Sequence, residues 1–300
     1  MRVTVILNQQ AGAEVRANAD FTPGQLSEAF SKVGLAAHVR VVPPEVLVDT
    51  VRTVVAERAE AIVVGGGDGT IGAAAGVMAD THIPLGILPL GTLNHFAKDL
   101  KIPADWRAAV TTISEQTIQA VDLAEVNGRI FINNCSLGAY PEAVRRREAL
   151  RLLRGLKKWT AMAIASLQVM RRLRRLRVTI EHHGQTYARR TPFVLVANNR
   201  YSGNLFSRSL RERIDEGELW VYTTPVHRVF PLLRMILQSF AHRLEEASDL
   251  ESWAAQEILL STPHGPLPVA LDGEIVKVNE PLRFQIRPRA LRVFVPGAGA

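Results

Sequence analysis

The sequence has almost no cysteine and no long run of apolar residues. Cys135 is the only cysteine among 300 residues, which excludes an internal disulfide or a zinc site built from several cysteines and suits a reducing compartment. The longest apolar run after the first few residues, 160–170, has 11 residues and includes Gln168. A helix that spans a bilayer needs about 20. We therefore expect no integral membrane segment.

The first residues also do not predict a secretion signal. The uninterrupted apolar stretch 3–7 has only five residues, too few for the core of a signal peptide, and it predicts a first β-strand instead. The balance of 47 % hydrophobic and 22 % charged residues is that of a globular protein, and 300 residues suffice for two domains with a core each. We expect a cytoplasmic protein.

Positive charge is concentrated in one segment. Residues 145–177 contain 12 Lys or Arg and one acid, a net charge of +11, while the rest of the chain carries −4. Leucines spaced three and four residues apart, such as Leu152, Leu153 and Leu156, predict a basic amphipathic helix. A second, largely apolar helix is predicted from Trp159 onward, and it ends in a cluster of arginines.

Three uses fit such a segment: contact with an anionic membrane surface, contact with nucleic-acid phosphates, or a solvated helical pair. Each basic residue near anionic head groups contributes about 1 kcal/mol. The apolar faces favour lipid, because a phosphate-binding stretch needs no Met, Leu and Trp side chains to insert. We expect peripheral attachment to the inner face of the membrane and no nucleic-acid partner.

Residues 1–123 alternate between strand and helix patterns, which predicts an α/β domain whose parallel sheet has helices on both faces. Strands are predicted at 3–7, 37–42, 61–64 and 84–89, and helices at 22–33, 45–58 and 71–78.

From residue 124 the pattern changes to short strands separated by turn pairs such as Asn-Gly and Asp-Gly. The strands are predicted at 129–133, 178–182, 193–197, 219–223, 267–271, 282–286 and 291–295. The second domain, 124–300, is therefore predicted to be mainly a β-sandwich, with the basic helices of 145–177 and a helix at 229–244 inserted. The sequence leaves open whether the last residues return to the first domain.

A glycine-rich loop follows the predicted strand 61–64 and precedes a helix of small residues. It consists of Gly65, Gly66, Gly67, Asp68, Gly69 and Thr70. Glycines let backbone N–H groups approach a phosphate closely, and the N-terminus of the following helix adds partial positive charge. The loop predicts a phosphate site.

Other interpretations of this loop fit less well. A Walker A motif needs a Lys before Thr70, and the G-x-G-x-x-G spacing lacks the acid about 20 residues on that would hold a ribose. A glycine turn without ligand leaves the acid Asp68 among its glycines unexplained. Beside a bound phosphate, this carboxylate would repel the ligand unless a cation lay between them. We therefore predict Mg²⁺ at Asp68. A second loop, 89–94, offers Gly91, Thr92 and Asn94 to the same phosphate or ribose.

At these two loops the sequence resembles the bacterial diacylglycerol kinase-like lipid kinases, whose catalytic domain carries a GGDGT loop and a downstream G-T-x-N loop. Further matches follow in the family's order along nearly the whole chain. NQQAG at 8–12 resembles the first nucleotide loop, and NNCSLGA at 133–139 resembles the start of the second domain. IDEGEL at 214–219 resembles the D-D-G segment, and LDGE at 271–274 resembles the catalytic D-G-E.

The resemblance implies ATP-dependent transfer of the γ-phosphoryl group to a hydroxyl of a lipid such as diacylglycerol, with ATP and Mg²⁺ between the two domains. The residues it assigns to the nucleotide are Asn8, Gly12, Gly65, Gly66, Gly67, Asp68, Gly69, Thr70, Gly91, Thr92 and Asn94. Asp272 or Glu274 would accept the hydroxyl proton. A strand would place both carboxylates on one side, a turn at Gly273 would separate them, and an ordinary hairpin turn is the bland interpretation of Asp-Gly.

The chain departs from the family pattern at three places. Gln9 stands where Pro is usual, and His95 stands where many members have Asp. In the family the D-D-G segment holds a structural Mg²⁺ through one carboxylate and backbone carbonyls. Here Glu216, one methylene longer than Asp, takes the second acidic position, and Arg213 and Glu218 take the carbonyl positions.

Two other function classes stay open at this point. One is a kinase of the NAD kinase type with a soluble acceptor, and the other is a nucleotide- or lipid-binding regulator without turnover. The sequence also leaves open which lipid alcohol is the substrate and whether the chain forms a homodimer.

The basic segment leads to a first prediction. Salt screens the attraction between its +11 charge and anionic lipids. The protein should therefore bind anionic vesicles at low salt, lose that binding as salt rises, and not bind neutral vesicles. Vesicle sedimentation measures this. Salt-independent binding, or a gel shift of nucleic acid at moderate salt, would contradict it.

Overall fold

The computed structural model describes residues 1–11, 21–138, 176–182, 184–201, 211, 213–223, 251–262 and 268–297. The chain divides into two compact units. The described residues of unit 1 fall within Met1–Leu123, Arg213–Glu216 and Arg287–Ala300, and those of unit 2 within Ala124–Glu212 and Gly217–Ile286. The chain therefore enters unit 2 after Leu123 and returns to unit 1 twice.

Unit 1 is built on a parallel sheet. Its first four strands are β1 (Arg2–Asn8), β2 (Ala36–Val42), β3 (Ala61–Gly66) and β4 (Leu85–Pro89), in the spatial order β2, β1, β3, β4. All neighbouring pairs run parallel. Every residue of β3 is buried, as expected for a parallel strand that is covered on both faces.

The register of the sheet brings three strand ends to one edge. Leu7 lies opposite Gly65, and Gly66 lies opposite Pro89. The loops that follow β1, β3 and β4 therefore begin side by side at the carboxyl edge of the sheet, where α/β proteins bind their ligands.

Helices join these strands. They are α1 (Pro23–Lys32), α2 (Pro44–Ala56), α3 (Asp68–Met78), α4 (His95–Asp99) and α5 (Trp106–Ser114). Thr22 and Gln25 form a capping box at the start of α1, and the Asp105 carboxylate accepts the Ala108 N–H at the start of α5. α1 packs on α5 and α2 packs on α3, which gives the sheet two pairs of covering helices.

Unit 2 consists mainly of strands in the part that the structure describes. They are β6 (Arg129–Phe131), β7 (Asn134–Gly138), β8 (Leu176–His182), β9 (Gln185–Thr191), β10 (Phe193–Asn198), β11 (Leu219–Thr223), β12 (Glu251–Ala255), β13 (Glu257–Ser261), β14 (Pro268–Leu271) and β15 (Glu274–Lys277). Two longer strands, β5 (Ile118–Val126) and β16 (Leu282–Phe294), each contribute residues to both units.

The strands of unit 2 form two antiparallel sets with one core between them. One sheet has the order β12, β11, β10, β7, β14, β15, and the other set pairs β9 with β8, β8 with β13, and β13 with the first residues of β16. A single apolar cluster combines Leu137 and Val196 of the first sheet with Ile180, Leu260 and Phe284 of the second. Burial of these faces against each other holds the sandwich together.

The predicted fold class, a parallel α/β domain followed by a mainly β-sandwich domain, is confirmed. Some local predictions are wrong. The predicted segments 282–286 and 291–295 are not two strands: up to Phe294 they belong to one strand, β16, which continues through Pro288 although Arg289 has a positive φ of 53°. Leu176 and Arg177 begin β8 rather than end a helix. β5 was not expected, and the single helix expected after the second loop is two helices, α4 and α5.

Two predicted helical regions, residues 145–175 of the basic segment and 229–244, lie outside the described residues. Within the described part of the chain, no helix combines the length and the apolar character needed to cross a membrane.

Candidate active site

The glycine-rich loop joins the buried strand β3 directly to α3, as its sequence predicts. Gly67 is the N-cap residue of α3. Because it has no side chain, it supplies no acceptor to the amide groups of the first turn, among them those of Asp68, Gly69 and Thr70. Amide groups at a helix start, together with the helix dipole, attract an anion.

The second loop packs backbone to backbone against the first. The Leu90 N–H donates to the Gly66 carbonyl at 3.0 Å. A Cβ on Gly91 would lie only 2.4 Å from the Gly67 Cα, closer than a Cβ approaches any non-bonded atom in proteins. Glycine at position 91 therefore permits the contact between the two loops.

Asn94 gives the second loop its shape. Its backbone is left-handed, with φ and ψ both 49°, a conformation that Asn adopts more readily than most residues. The side-chain Oδ1 accepts the Gly91 N–H at 2.9 Å, and Nδ2 donates to the carbonyls of Pro89 and Gly91 at 3.0 and 2.7 Å. Both amide hydrogens thus serve the loop itself, and a nucleotide contact of Asn94 stays a prediction, as does one of the exposed Thr92.

Asp68 ties the two loops together. Its Oδ2 accepts the His95 N–H and its Oδ1 accepts the Phe96 N–H, both at 3.0 Å. These amides open α4, whose N-cap residue makes no side-chain cap. Asp68 thus caps a helix from 27 residues away. A carboxylate has about four acceptor positions, so these two bonds are compatible with the predicted role at Mg²⁺, which stays a prediction.

Asn8 links the end of β1 to the start of α3. Its Nδ2 donates to the Thr70 Oγ1 at 2.9 Å, and its Oδ1 accepts the Gln10 N–H at 2.9 Å. Among the residues predicted to hold the nucleotide, Gly12 lies outside the described residues. The others of that set meet along the carboxyl edge of the unit 1 sheet.

Asp272 and Gly273 form a two-residue hairpin turn between β14 and β15, in which Leu271 pairs with Glu274. Their φ values of 46° and 88° are both positive, as in the type I′ turns that Asp-Gly favours. Of the two predicted catalytic carboxylates, Asp272 therefore lies in the turn and Glu274 begins β15.

The Asp272 carboxylate is held by three backbone amides of unit 2. Oδ2 accepts the Ile132 N–H at 2.9 Å, and Oδ1 accepts the N–H groups of Asn133 and Asn134 at 2.8 and 3.1 Å. The Asp272 N–H donates in turn to the Asn134 carbonyl at 2.9 Å. Glu274, in contrast, is exposed at the start of β15. The Asp-Gly pair therefore forms a hairpin turn, and its Asp272 carboxylate is fixed by backbone amides.

Cys135 lies next to this segment in the core of unit 2. Burial raises the pKa of the Cys135 thiol far above its usual range, and the negative charge of Asp272 adds to the effect. The thiol therefore stays protonated at neutral pH and is not a nucleophile.

The residues predicted to hold a structural metal flank Gly217, where the chain passes from unit 1 to unit 2. Arg213 donates from Nε to the Asp215 Oδ1 at 3.2 Å, Glu216 is exposed, and the Glu218 carbonyl accepts the Asn199 N–H at 3.0 Å. Within the described residues, no three His, Cys, Asp or Glu side chains gather into a metal cluster. A metal held by carbonyls and one carboxylate stays a prediction.

Within the part of the chain that the structure describes, two buried charged residues were not predicted. Asp122 is fully buried in β5 and accepts the Arg289 N–H at 2.8 Å. The sequence feature that could have indicated its burial is the position of a single acid between Val121 and Leu123. Arg211 is only 2 % exposed and bonds to the Ile132–Asn134 segment. Nothing in the sequence distinguished it from the neighbouring arginines.

The contact of the two loops leads to a second prediction. Gly91→Ala should lower the free energy of unfolding by about 1–3 kcal/mol, because the new methyl group overlaps the Gly67 backbone. Gly24→Ala is the matched control, since the nearest atom to its Cβ, Thr22 Oγ1, is 3.9 Å away. Urea unfolding of both variants measures the difference. If Gly91→Ala were as stable as the wild-type protein, the two loops would not depend on this close approach.

Comparisons with known proteins agree along most of the chain. Residues 2–126 match the diacylglycerol kinase catalytic domain, and residues 134–295 match the YegS C-terminal NAD kinase beta sandwich-like domain. A "Probable lipid kinase YegS-like" protein of Pseudomonas syringae pv. tomato is 30 % identical over 244 residues, which cover 78 % of this chain and 75 % of that protein.

Two further comparisons cover different shares of the matched proteins. The Synechocystis protein sll0036, described as uncharacterized, is 26 % identical over 239 residues, 78 % of this chain, and the match spans only 54 % of that protein. A crystal structure of a diacylglycerol kinase from Bacillus anthracis is 21 % identical, with a TM-score of 0.70 over 100 % of this chain and 98 % of that one, and it shows the same fold.

The two family matches together span nearly all the described elements, and the second alone covers more than half of the chain. The chain therefore belongs to the diacylglycerol kinase catalytic-domain family, in the form that carries a YegS C-terminal NAD kinase beta sandwich-like domain.

Proposed function

We propose that this protein is an ATP-dependent lipid kinase that transfers the γ-phosphoryl group to a hydroxyl of a lipid such as diacylglycerol. Its family makes it a kinase with an alcohol group as acceptor. The observation that carries the proposal is the glycine N-cap of α3, which packs against the second loop and leaves the first-turn amides without a side-chain cap from that residue. Such an arrangement suits a phosphate chain.

The nucleotide is assigned to the carboxyl edge of the unit 1 sheet. The amides of Gly66–Thr70 would hold its phosphates, with Asn8 fixing the Thr70 hydroxyl at the start of α3. Mg²⁺ bound near Asp68 would neutralise the charge that spreads over the phosphates during transfer. Asp68 itself keeps both loops in register through the His95 and Phe96 amides.

The acceptor chemistry is assigned to unit 2. The hydroxyl oxygen of the lipid forms a bond to the γ-phosphorus while the bond from that phosphorus to the bridging oxygen of ADP breaks. The hydroxyl proton passes to a carboxylate. We assign that carboxylate to Asp272, since three amide donors fix it and phosphoryl transfer depends on positioning more than on base strength. Glu274 is the alternative.

A third prediction separates these two carboxylates. Asp272→Asn should lower kcat by about 10²–10⁴-fold, the range of a lost general base, while exposed Glu274→Gln should lower it much less. Steady-state kinetics with ATP and a dispersed lipid measure both. A larger loss in Glu274→Gln would move the base to Glu274, and full activity in both variants would remove the assignment.

The Asp272→Asn variant needs a stability control. An amide NH₂ in place of Oδ2 would face the Ile132 N–H, so two donors would oppose each other. Thermal unfolding of each variant therefore accompanies the kinetics. Only the part of the loss measured on folded protein counts toward the base.

The acceptor itself provides the fourth prediction. The second-domain match names NAD kinase, so a soluble acceptor is the rival function. With ATP and Mg²⁺, diacylglycerol or another lipid alcohol should stimulate ADP release, whereas NAD should not. Stimulation by NAD alone would establish the rival. ATP binding without phosphoryl transfer to any acceptor would favour a non-catalytic regulator.

A lipid acceptor also explains the charge distribution. We assign the net charge of +11 in residues 145–177 to peripheral attachment at an anionic membrane, where the substrate resides. That surface would raise the local concentration of acceptor for a protein that otherwise stays in the cytoplasm.

A further inference from the structure

Arg211 is buried in unit 2, beside the segment that binds the Asp272 carboxylate. The side chain is 2 % exposed. Burial of a guanidinium is costly unless its N–H groups are bonded. Nη1 donates to the carbonyls of Ile132 and Asn198 at 2.8 and 2.7 Å, and Nη2 donates to the Asn133 Oδ1 at 3.1 Å. Three of its bonds thus end on acceptors of Ile132, Asn133 and Asn198.

One peptide group connects this guanidinium to Asp272. The Ile132 carbonyl and the Asn133 N–H belong to the same peptide unit. The carbonyl accepts Arg211 Nη1 at 2.8 Å, and the N–H donates to the Asp272 Oδ1 at 2.8 Å. Asn198 Nδ2 adds a second donor to that carbonyl at 3.0 Å. Positive charge at the carbonyl polarises the peptide and strengthens its N–H as a donor.

Arg211 also restrains the residue that carries this N–H. Its second nitrogen holds the Asn133 side chain, so the backbone on one side of Asn133 and its side-chain amide are fixed by one planar group. A lysine could not span these acceptors, because its single nitrogen lacks the fork of a guanidinium.

We propose that Arg211 is a positioning residue for the Asp272 carboxylate, acting through the peptide group between Ile132 and Asn133. This inference deepens the proposed function and rests on Asp272 serving as the proton acceptor. Arg211 would then contribute to the reaction as a buried cation that does not itself contact the substrate.

The kinetic test, the fifth prediction, uses Arg211→Met. We expect kcat to fall by about 10- to 100-fold, as for other residues that orient a catalytic group, with KM for ATP and lipid changed far less. Arg211→Lys should recover part of the loss, because it keeps the charge near the Ile132 carbonyl. Arg190→Met, on the exposed face of β9, is the matched control and should keep full activity. An unchanged kcat in folded Arg211→Met would overturn the proposal.

A spectroscopic test does not depend on turnover. In amide NMR of the wild-type protein, the Asn133 proton should resonate furthest downfield of the three amides that bind Asp272, since the carbonyl of its own peptide group, that of Ile132, accepts Arg211 Nη1. In Arg211→Met this proton should move upfield more than the Asn134 proton, and in Arg211→Lys, which keeps the charge near the Ile132 carbonyl, it should move less than in Arg211→Met. A wild-type spectrum without that order, or equal shifts of both protons, would overturn the coupling.

The two readouts separate failure of this inference from failure of the proposed function. If the protein phosphorylates no lipid but the Asn133 proton behaves as expected, the kinase assignment fails and the link between Arg211 and Asp272 stands. If lipid is phosphorylated and the variants leave both kcat and the Asn133 proton unchanged, the kinase assignment stands and the link fails.

Discussion

The close approach of the Gly67 and Gly91 backbones is the contact on which the candidate site depends. It brings the loop after β3 against the loop after β4, and the parallel register makes this possible because Gly66 and Pro89 end neighbouring strands at the same level. Once the loops touch, Asp68 reaches the amides that open α4, and the Asn94 side chain binds the Pro89 and Gly91 carbonyls of its own loop. The first turn of α3 then has a glycine as its N-cap, which leaves room for a ligand to take the place of a capping side chain.

The sequence predicted those features that short stretches of chain determine. The GGGDGT loop, the alternation of strand and helix, and the Asp-Gly turn are all set by residues within a few positions of one another, so spacing alone reveals them. The strand β5 was not predicted because Gln119, Asp122 and Glu125 interrupt its apolar pattern, and Arg289, whose N–H binds the buried Asp122, lies far away in the chain. The continuity of β16 escaped because Pro288 normally ends a strand.

The roles of individual side chains were harder to predict, since they depend on partners distant in sequence. Asn94 and Asp68 were expected to face the nucleotide, and the structure shows first that they shape and join the loops. Arg211 and the segment it restrains are 78 and 79 residues apart. No periodicity reports such a pair. A buried charge becomes visible only when the fold shows which arginine, among many, has lost its contact with water.

Asp68 and Asp272 belong to different units, yet both are held in the same way. Each carboxylate is bound by backbone N–H groups, two for Asp68 and three for Asp272. Under the proposed function, the negative phosphates of a nucleotide would repel a carboxylate that acts on them, and a flexible Asp would turn away. Backbone amides would oppose this movement, because their positions are set by strands and helix starts rather than by rotatable side chains. In a reaction whose barrier is lowered mainly by placement and charge, such fixed carboxylates are more useful than strong but mobile bases.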